Sequence, residues 1–225
     1  MSERRYTEFP VELRAGGGAP KIGGYASVFN RLSQNLGGFV EQVDPSFFNK
    51  TRGDGWPNVI ARFNHDSNML LGTSNASTLR LMVDDTGLYY EVEPPRSMSA
   101  VVEWVERGDV TRSSFAFRVP KEGDKWTLTD QGYPLRTLMT GQLVDVAPVT
   151  EPAYLDTTAG LRSLADQMDA PYEEVRKAAD ENELLRFFKV TGKAGSPVKA
   201  VKAKPRTFGP VAAATLLARK EDPYA

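Results

Sequence analysis

The sequence contains no cysteine and only one histidine among its 225 residues. The lack of cysteine excludes thiol nucleophiles, cysteine-ligated zinc, iron-sulfur clusters and disulfides. Histidine exchanges protons near neutral pH, so any mechanism that needs an imidazole must use His65. A nucleophilic enzyme built on this chain therefore pairs His65 with a serine or threonine, or works without a histidine base.

The sequence also lacks long hydrophobic runs and an excess of charge of either sign. No run of about 18 apolar residues occurs, and residues 1–5 lack the apolar stretch of a signal peptide, so we expect a cytoplasmic protein with no membrane partner. The formal net charge of -1 gives no indication of a specific nucleic-acid partner for the chain as a whole.

Short extended runs separated by turn residues dominate residues 21–147. This pattern predicts a mainly β domain. One helix is predicted within it, over residues 97–107, because Met98, Val101 and Val105 recur at helical spacing. The residues alone therefore predict a fold class that is mainly β with a few helices.

Composition divides the chain into four predicted parts. Residues 1–20, which end near a glycine run, are expected to form a flexible N-terminal arm, and residues 21–158 the mainly β domain. Residues 159–191 change to helical spacing and predict a helical segment. Residues 192–225 are rich in Lys, Ala, Pro and Gly, which predicts a basic, disordered tail.

Two adjacent serines lie in a strand whose side chains alternate between faces. Ser113 shares a face with Phe115 and Phe117, whereas Ser114 lies on the opposite face beside the small Ala116. The alternation predicts that Ser114 is the accessible hydroxyl and a candidate nucleophile. The alternative is that a pair of serines in a strand is simply a polar half-face, which is the commoner case.

His65 comes just past the end of a predicted strand over residues 59–63. It continues the face of Val59, Ala61 and Phe63, so we expect a ring that is half in the core and half free. The alternative is a surface histidine, or one that is satisfied by the adjacent Asp66.

Asp145 is an acid inside an otherwise apolar run, residues 143–147. An unpaired buried carboxylate is costly, so Asp145 is expected to have a partner or to lie at a strand end. A histidine cation would be such a partner, and backbone amides would be another. Glu151 is the alternative acid.

The sequence indicates no cofactor and no metal. It has no glycine-rich phosphate-binding loop. The acids at Asp84, Asp85, Glu91 and Glu93 are typical of a turn and of the solvent face of a hairpin rather than of a metal site.

Several short motifs follow one another in a specific order. They are Gly24–Asn30 (GYASVFN), Phe63–Asp66 (FNHD), Ser113–Phe117 (SSFAF) and Val144–Tyr154 (VDVAPVTEPAY). This order resembles that of the prohead proteases of tailed bacteriophages, which are capsid-maturation serine proteases related in fold to herpesvirus assemblin. The resemblance covers residues 21–157 and is closest to the lambdoid-type enzymes.

The resemblance implies both a fold and a set of catalytic residues. The fold would be a small closed β-barrel of the assemblin type, ringed by a few helices. The family's histidine, serine and acid fall on His65, Ser114 and Asp145. This chain departs from the family pattern at Ala116, where glycine is usual, and at Ala147, where serine is usual; both replacements are small.

The resemblance also implies a substrate and a location. The chain would be a serine endopeptidase that cleaves the scaffolding segment of the major capsid protein, and itself, inside the procapsid in the host cytoplasm. Assemblin-type relatives imply a possible homodimer, and self-cleavage would remove the basic tail. Two alternatives are a non-enzymatic capsid scaffold, and a nucleic-acid binder that uses the tail. The second ranks last because Phe208 is the only aromatic residue among the lysines.

Overall fold

The computed structural model describes residues 2–14, 18–150 and 157–188. Over these ranges the strands are β1 (Glu3–Pro10), β2 (Glu12–Arg14), β3 (Lys21–Val28), β4 (Val40–Val43), β5 (Ile60–Arg62), β6 (Leu70–Thr73), β7 (Leu79–Val83), β8 (Gly87–Val92), β9 (Arg112–Arg118), β10 (Asp124–Leu128), β11 (Pro134–Leu138) and β12 (Gln142–Val149). The α-helices are α1 (Asn49–Gly53), α2 (Ser99–Arg107), α3 (Thr158–Gln167) and α4 (Tyr172–Asp180). Short 3-10 turns lie at Phe63–His65, Arg96–Met98 and Leu184–Phe187.

The predicted fold class, mainly β with a few helices, is confirmed. Helix α2 lies within the helix predicted over residues 97–107, and α3 and α4 follow the last strand. The predicted tail over residues 192–225 lies outside the described residues. Among the described helices, none is long and apolar enough to cross a membrane.

Hydrogen bonds join the described strands into three sheets. Their strand orders are β1-β9-β12-β5-β6, β2-β3-β8-β7 and β10-β11-β4. In the first sheet β9 lies antiparallel between β1 and β12, and β12 runs parallel to β5. The strands that carry Ser114 and Asp145 are therefore neighbours, and the next strand leads directly into His65. The closed barrel implied by the resemblance stays a prediction.

The N-terminal residues form strands, and the prediction of a flexible arm is wrong for this part of the chain. Strand β1 pairs with β9 along most of its length, and β2 pairs with β3. The buried positions of β1 include Glu3, Arg5 and Thr7, which are polar. A strand whose inward face is polar shows no hydrophobic alternation, so the sequence pattern gives no strand signal there.

A buried group of ion pairs explains how polar side chains can face inward on β1. Arg136, which is 1% exposed, contacts Glu3 at 2.6 Å, Glu41 at 2.9 Å and Asp124 at 2.5 Å. Arg5 pairs with Glu41 at 2.7 Å. Burial alone would lower the pKa of Arg136, but Glu41, Glu3 and Asp124 raise it above its ordinary value. These contacts connect β1 with β4, β10 and β11 and keep the buried charges paired.

Aromatic packing determines which face of β9 points into the core. Phe115 and Phe117 are buried, with ring centroids 4.9 Å apart. Phe48 packs edge-on against Phe115, and Phe47 packs edge-on against Phe117. Because Phe115 and Phe117 point into the core and side chains alternate along a strand, the side chains of Ser114 and Ala116 lie on the other face of β9.

Candidate active site

The two serines of β9 lie on opposite faces of the sheet, as their alternation predicts. Ser113 is on the core side, where its Oγ lies 3.2 Å from the hydroxyl of Tyr90. Ser114 lies on the other side and bonds to His65. Ser114 is nevertheless fully buried, so the prediction that it is an accessible hydroxyl is wrong. Alternation identifies the face of a side chain, but it does not show what lies over that face.

A tight turn after β5 carries His65. The amide of Asp66 donates to the carbonyl oxygen of Phe63 at 3.0 Å, and the two residues between them have left-handed backbones, with φ of 52° at Asn64 and 57° at His65. His65 is only 6% exposed, so the expectation of a half-free ring is wrong. The turn directs the ring towards the sheet, where both of its nitrogens have partners.

The imidazole of His65 connects a carboxylate with a hydroxyl. Its Nδ1 lies 2.5 Å from Asp145 Oδ1, and its Nε2 lies 2.7 Å from Ser114 Oγ. Asp145 is 3% exposed. A carboxylate on Nδ1 favours the tautomer that carries its hydrogen there, which leaves Nε2 free to accept a hydrogen from the serine. The structure thus brings together the three residues that the sequence singles out.

The pairing register of the sheet explains why Asp145 reaches this place. On β12, Asp145 lies opposite Ala116 of β9 on one side and beside Ile60 of β5 on the other. Ala147, two residues further along β12, lies opposite Ser114. The residue paired with Asp145 and the residue paired with Ser114 are thus both alanines, which have small side chains.

The structure decides between the alternatives that the sequence left open for His65. The imidazole bonds to Asp145, whereas Asp66 accepts a hydrogen bond from the amide of Asn68 at 2.8 Å. The partner of Asp145 is a histidine, which is one of the two kinds of partner expected for a buried acid at this position. Glu151, the other candidate acid, lies outside the described residues.

Arg62 is a neighbour of the site that the sequence did not indicate. Its guanidinium lies 3.6 Å from Oδ2 of Asp145, the oxygen that His65 does not use. Arg62 is the last residue of β5 and precedes His65 by three residues. The two partners of the carboxylate therefore come from one strand and the turn that follows it. The buried Asp145 is therefore paired with a permanent cation as well as with the imidazole.

The hydroxyl of Ser114 has a second acceptor within reach. The backbone carbonyl oxygen of Arg5, on β1, lies 2.8 Å from Ser114 Oγ. A serine has one hydrogen to donate, so with a neutral His65 the carbonyl and Nε2 compete for it. The sequence pattern does not predict this contact either, because it depends on the pairing of β1 with β9.

The acids between β7 and β8 form a turn. The carboxylate of Asp84 accepts hydrogen bonds from the amides of Thr86 and Gly87 and from the hydroxyl of Tyr25. Burial alone would raise the pKa of Asp84, but these hydrogen bonds hold it below its ordinary value. Across residues 2–14, 18–150 and 157–188, no three histidine or acidic side chains are grouped as metal ligands.

Comparison with known proteins places the chain in a family. Residues 8–170 match the family model of the caudovirus prohead serine proteases. Among solved structures, the chain is similar to the capsid assembly protease of bacteriophage T4, with a TM-score of 0.45 and 11% identity over 67% of this chain and 99% of that one. No curated protein matches it. Because the family model matches residues 8–170, most of the chain, and this range includes His65, Ser114 and Asp145, the chain belongs to the caudovirus prohead serine protease family, the serine proteases of phage capsid maturation.

Proposed function

We propose that this prohead protease is a serine endopeptidase in which Ser114 is the nucleophile, His65 the general base and Asp145 the acid that orients the imidazole. The observation that carries the proposal is the pair of contacts made by the ring of His65, 2.5 Å to Asp145 and 2.7 Å to Ser114. A serine protease needs a base within hydrogen-bond reach of its nucleophile and a third group that orients the base.

In this mechanism, Nε2 of His65 takes the hydroxyl proton as Ser114 Oγ attacks the carbonyl carbon of a peptide bond. The C–N bond then breaks, and His65 returns the proton to the leaving amine, which leaves an acyl group on Ser114. Water attacks the acyl group with His65 again acting as base, and the serine is regenerated. Asp145 holds the Nδ1 hydrogen and stabilises the imidazolium at each step.

The closed site adds two requirements to this mechanism. The hydroxyl must donate to Nε2 rather than to the carbonyl of Arg5, because only the first bond lets His65 take the proton. Ser114 is fully buried, so its surroundings must also rearrange before a polypeptide can reach Oγ.

The proposed substrates are the scaffolding segment of the major capsid protein and the protease itself. Membership of the prohead protease family supports a capsid protein as substrate. The order of motifs supports the closer assignment to lambdoid-type enzymes with an assemblin-like closed barrel, acting inside the procapsid in the host cytoplasm. A homodimer and removal of the tail over residues 192–225 are part of the same proposal. Mature particles that retain an intact tail by mass spectrometry would count against its removal.

The test uses the two serines of β9 as a matched pair. The chain is co-expressed with its capsid protein as wild type, Ser114→Ala or Ser113→Ala, and intact masses are measured in assembled particles. We expect Ser114→Ala to abolish cleavage of both proteins while particles still form. Ser113→Ala should retain cleavage, because Ser113 contacts Tyr90 on the core side.

Cleavage that survives Ser114→Ala would refute the assignment of the nucleophile. The non-enzymatic scaffold alternative makes a separate prediction, that His65→Ala leaves maturation intact. If His65→Ala and Ser114→Ala both block processing in assembled particles, the scaffold alternative is excluded.

A further inference from the structure

The turn that carries His65 has a backbone that its sequence does not favour. A four-residue turn with positive φ at both central positions prefers Asn-Gly, and here the glycine position is occupied by His65. Among the described residues, no other two consecutive non-glycine residues both have positive φ. A left-handed backbone at a residue with a large side chain costs free energy, which contacts elsewhere must offset.

The side chain of Asn64 supplies such contacts. Its Oδ1 accepts a hydrogen bond from the backbone amide of Thr150 at 3.0 Å, and its Nδ2 donates to Thr150 Oγ1 at 3.2 Å. We call this pair of bonds the Asn64–Thr150 clasp. It joins the His65 turn to the residue directly after β12, the strand that carries Asp145.

The clasp and the imidazole thus connect the same two pieces of chain at two points. One connection runs from His65 to Asp145 within β12, and the other from Asn64 to Thr150 just beyond it. A turn held at one point can pivot about that point, whereas two connections fix its direction. The position of Nε2 relative to Ser114 Oγ depends on that direction.

We propose that Asn64 is a positioning residue: its clasp to Thr150 keeps the strained His65 turn in the conformation that places Nε2 against Ser114. This inference rests on the proposed role of His65 as general base. Without the clasp, the turn relaxes towards less strained backbone angles and Nε2 leaves the line of proton transfer. Proton transfer requires the base within hydrogen-bond reach, so a small displacement lowers the rate steeply.

A simpler account is that asparagine occurs here only because it tolerates a left-handed backbone. Asn64→Gly separates the two accounts, because glycine adopts positive φ still more readily but has no side chain for the clasp. Asn58→Gly is the matched control. Asn58 has φ of 56°, and its side-chain oxygen accepts a hydrogen bond from Asn75 Nδ2 at 2.8 Å, away from the catalytic groups.

The experiment measures how fast a fluorophosphonate probe, which reacts with activated serines, labels the protease in particles assembled with its capsid protein. For Asn64→Gly we expect the maximal labelling rate to fall about 10- to 100-fold, while the half-saturating probe concentration stays unchanged. Asn58→Gly should label within about twofold of wild type, the margin expected for a site that does not touch the chemistry. Thr150→Val, which removes Oγ1 but keeps the backbone amide, should show a smaller fall than Asn64→Gly.

A second readout uses the fact that His65 is the only histidine. In isolated protein, the proton on Nδ1 bonded to Asp145 should give one downfield NMR signal. We expect this signal to weaken in Asn64→Gly and to persist in Asn58→Gly. Asn64→Asp keeps an acceptor for the Thr150 amide and tolerates the same backbone, so it should retain most of the signal and of the labelling rate.

The outcomes separate this inference from the proposed function. If Ser114→Ala abolishes labelling but Asn64→Gly labels at the wild-type rate, the positioning role is refuted and the catalytic assignment stands. Equal losses in Asn64→Gly and Asn58→Gly would also refute it, because they would reflect turn stability in general. If Ser114→Ala labels like wild type, the proposed function itself fails. Should Asn64→Gly not fold, Thr150→Val decides, and a wild-type rate in that variant refutes the inference.

Discussion

At the residue scale, each oxygen of Asp145 has its own partner. Oδ1 contacts the imidazole of His65 at 2.5 Å, and Oδ2 lies 3.6 Å from the guanidinium of Arg62. The carboxylate is therefore compensated even when the histidine is neutral. In the proposed mechanism this arrangement keeps the hydrogen of the imidazole on Nδ1 and leaves Nε2 as the base.

Replacing the carboxylate by an amide tests this role of Asp145. We expect Asp145→Asn to lower kcat by about 10⁴-fold, because an amide that donates to Nδ1 stabilises the wrong tautomer of His65. Cleavage of a peptide taken from the processed site of the capsid protein would measure it. Glu151→Gln is the matched control and should stay close to wild type. A large loss in Glu151→Gln together with little loss in Asp145→Asn would transfer the role to Glu151.

At the element scale, β1 connects the buried ion pairs with the active site. The side chains of Glu3 and Arg5 contact Arg136 and Glu41, while the backbone carbonyl of Arg5 accepts a hydrogen bond from Ser114. Polar side chains can take these inward positions only because each has a charged partner in place. For the inward side chains Glu3 and Arg5, ion pairs thus take the place of the apolar contacts that are usual in strands.

Because of these ion pairs, we expect the free energy of unfolding to depend strongly on Arg136. Arg136→Met would leave the carboxylates of Glu3, Glu41 and Asp124 without their shared cation, and we expect it to lower the free energy of unfolding by about 3–5 kcal/mol. Urea unfolding would measure the change. The control is Arg176→Met, which breaks an exposed pair with Glu173 and should cost at most about 1 kcal/mol. Similar small losses in both variants would show that the buried pairs do not hold β1.

At the scale of the whole molecule, the buried Tyr90 should make the free energy of unfolding fall at alkaline pH. Burial raises the pKa of Tyr90, which is fully buried with its hydroxyl bonded to Ser113. In the unfolded chain a tyrosine loses its proton near pH 10, whereas folded Tyr90 keeps it. The contribution of Tyr90 to stability is therefore complete below about pH 10 and is lost as the pH rises above that value.

The free energy of unfolding, measured in urea from pH 8 to 11, should therefore fall more steeply for wild type than for Tyr90→Phe. Only the slopes are compared, because Tyr90→Phe also removes the hydrogen bond to Ser113 and shifts the whole curve. Parallel curves would contradict the prediction.

Local patterns were enough to predict parts of the fold and of the candidate site. The alternation of β9 separated Ser113 from Ser114, because strand periodicity is local and phenylalanines mark one face. The apolar neighbours of Asp145 correctly indicated a partnered acid. The combination of these residues with His65 came from the resemblance, since periodicity does not show which strands are neighbours.

Other features depend on contacts between distant parts of the chain. The sequence pattern does not predict β1, because its inward side chains are polar and the charged partners of Glu3 and Arg5 lie on β4 and β11. The Asn64–Thr150 clasp joins residues 86 positions apart. The burial of Ser114 likewise follows from tertiary packing, so the local pattern could identify its face but not its exposure.

The central claim is that Ser114 is a nucleophile activated by His65. The most direct measurement treats particles assembled from the capsid protein and this protease with a fluorophosphonate and maps the adduct by peptide mass spectrometry. We predict one adduct, on Ser114, together with arrest of capsid-protein cleavage, and no adduct in His65→Ala. An adduct on a different residue, or cleavage that continues while Ser114 is fully modified, would contradict the claim.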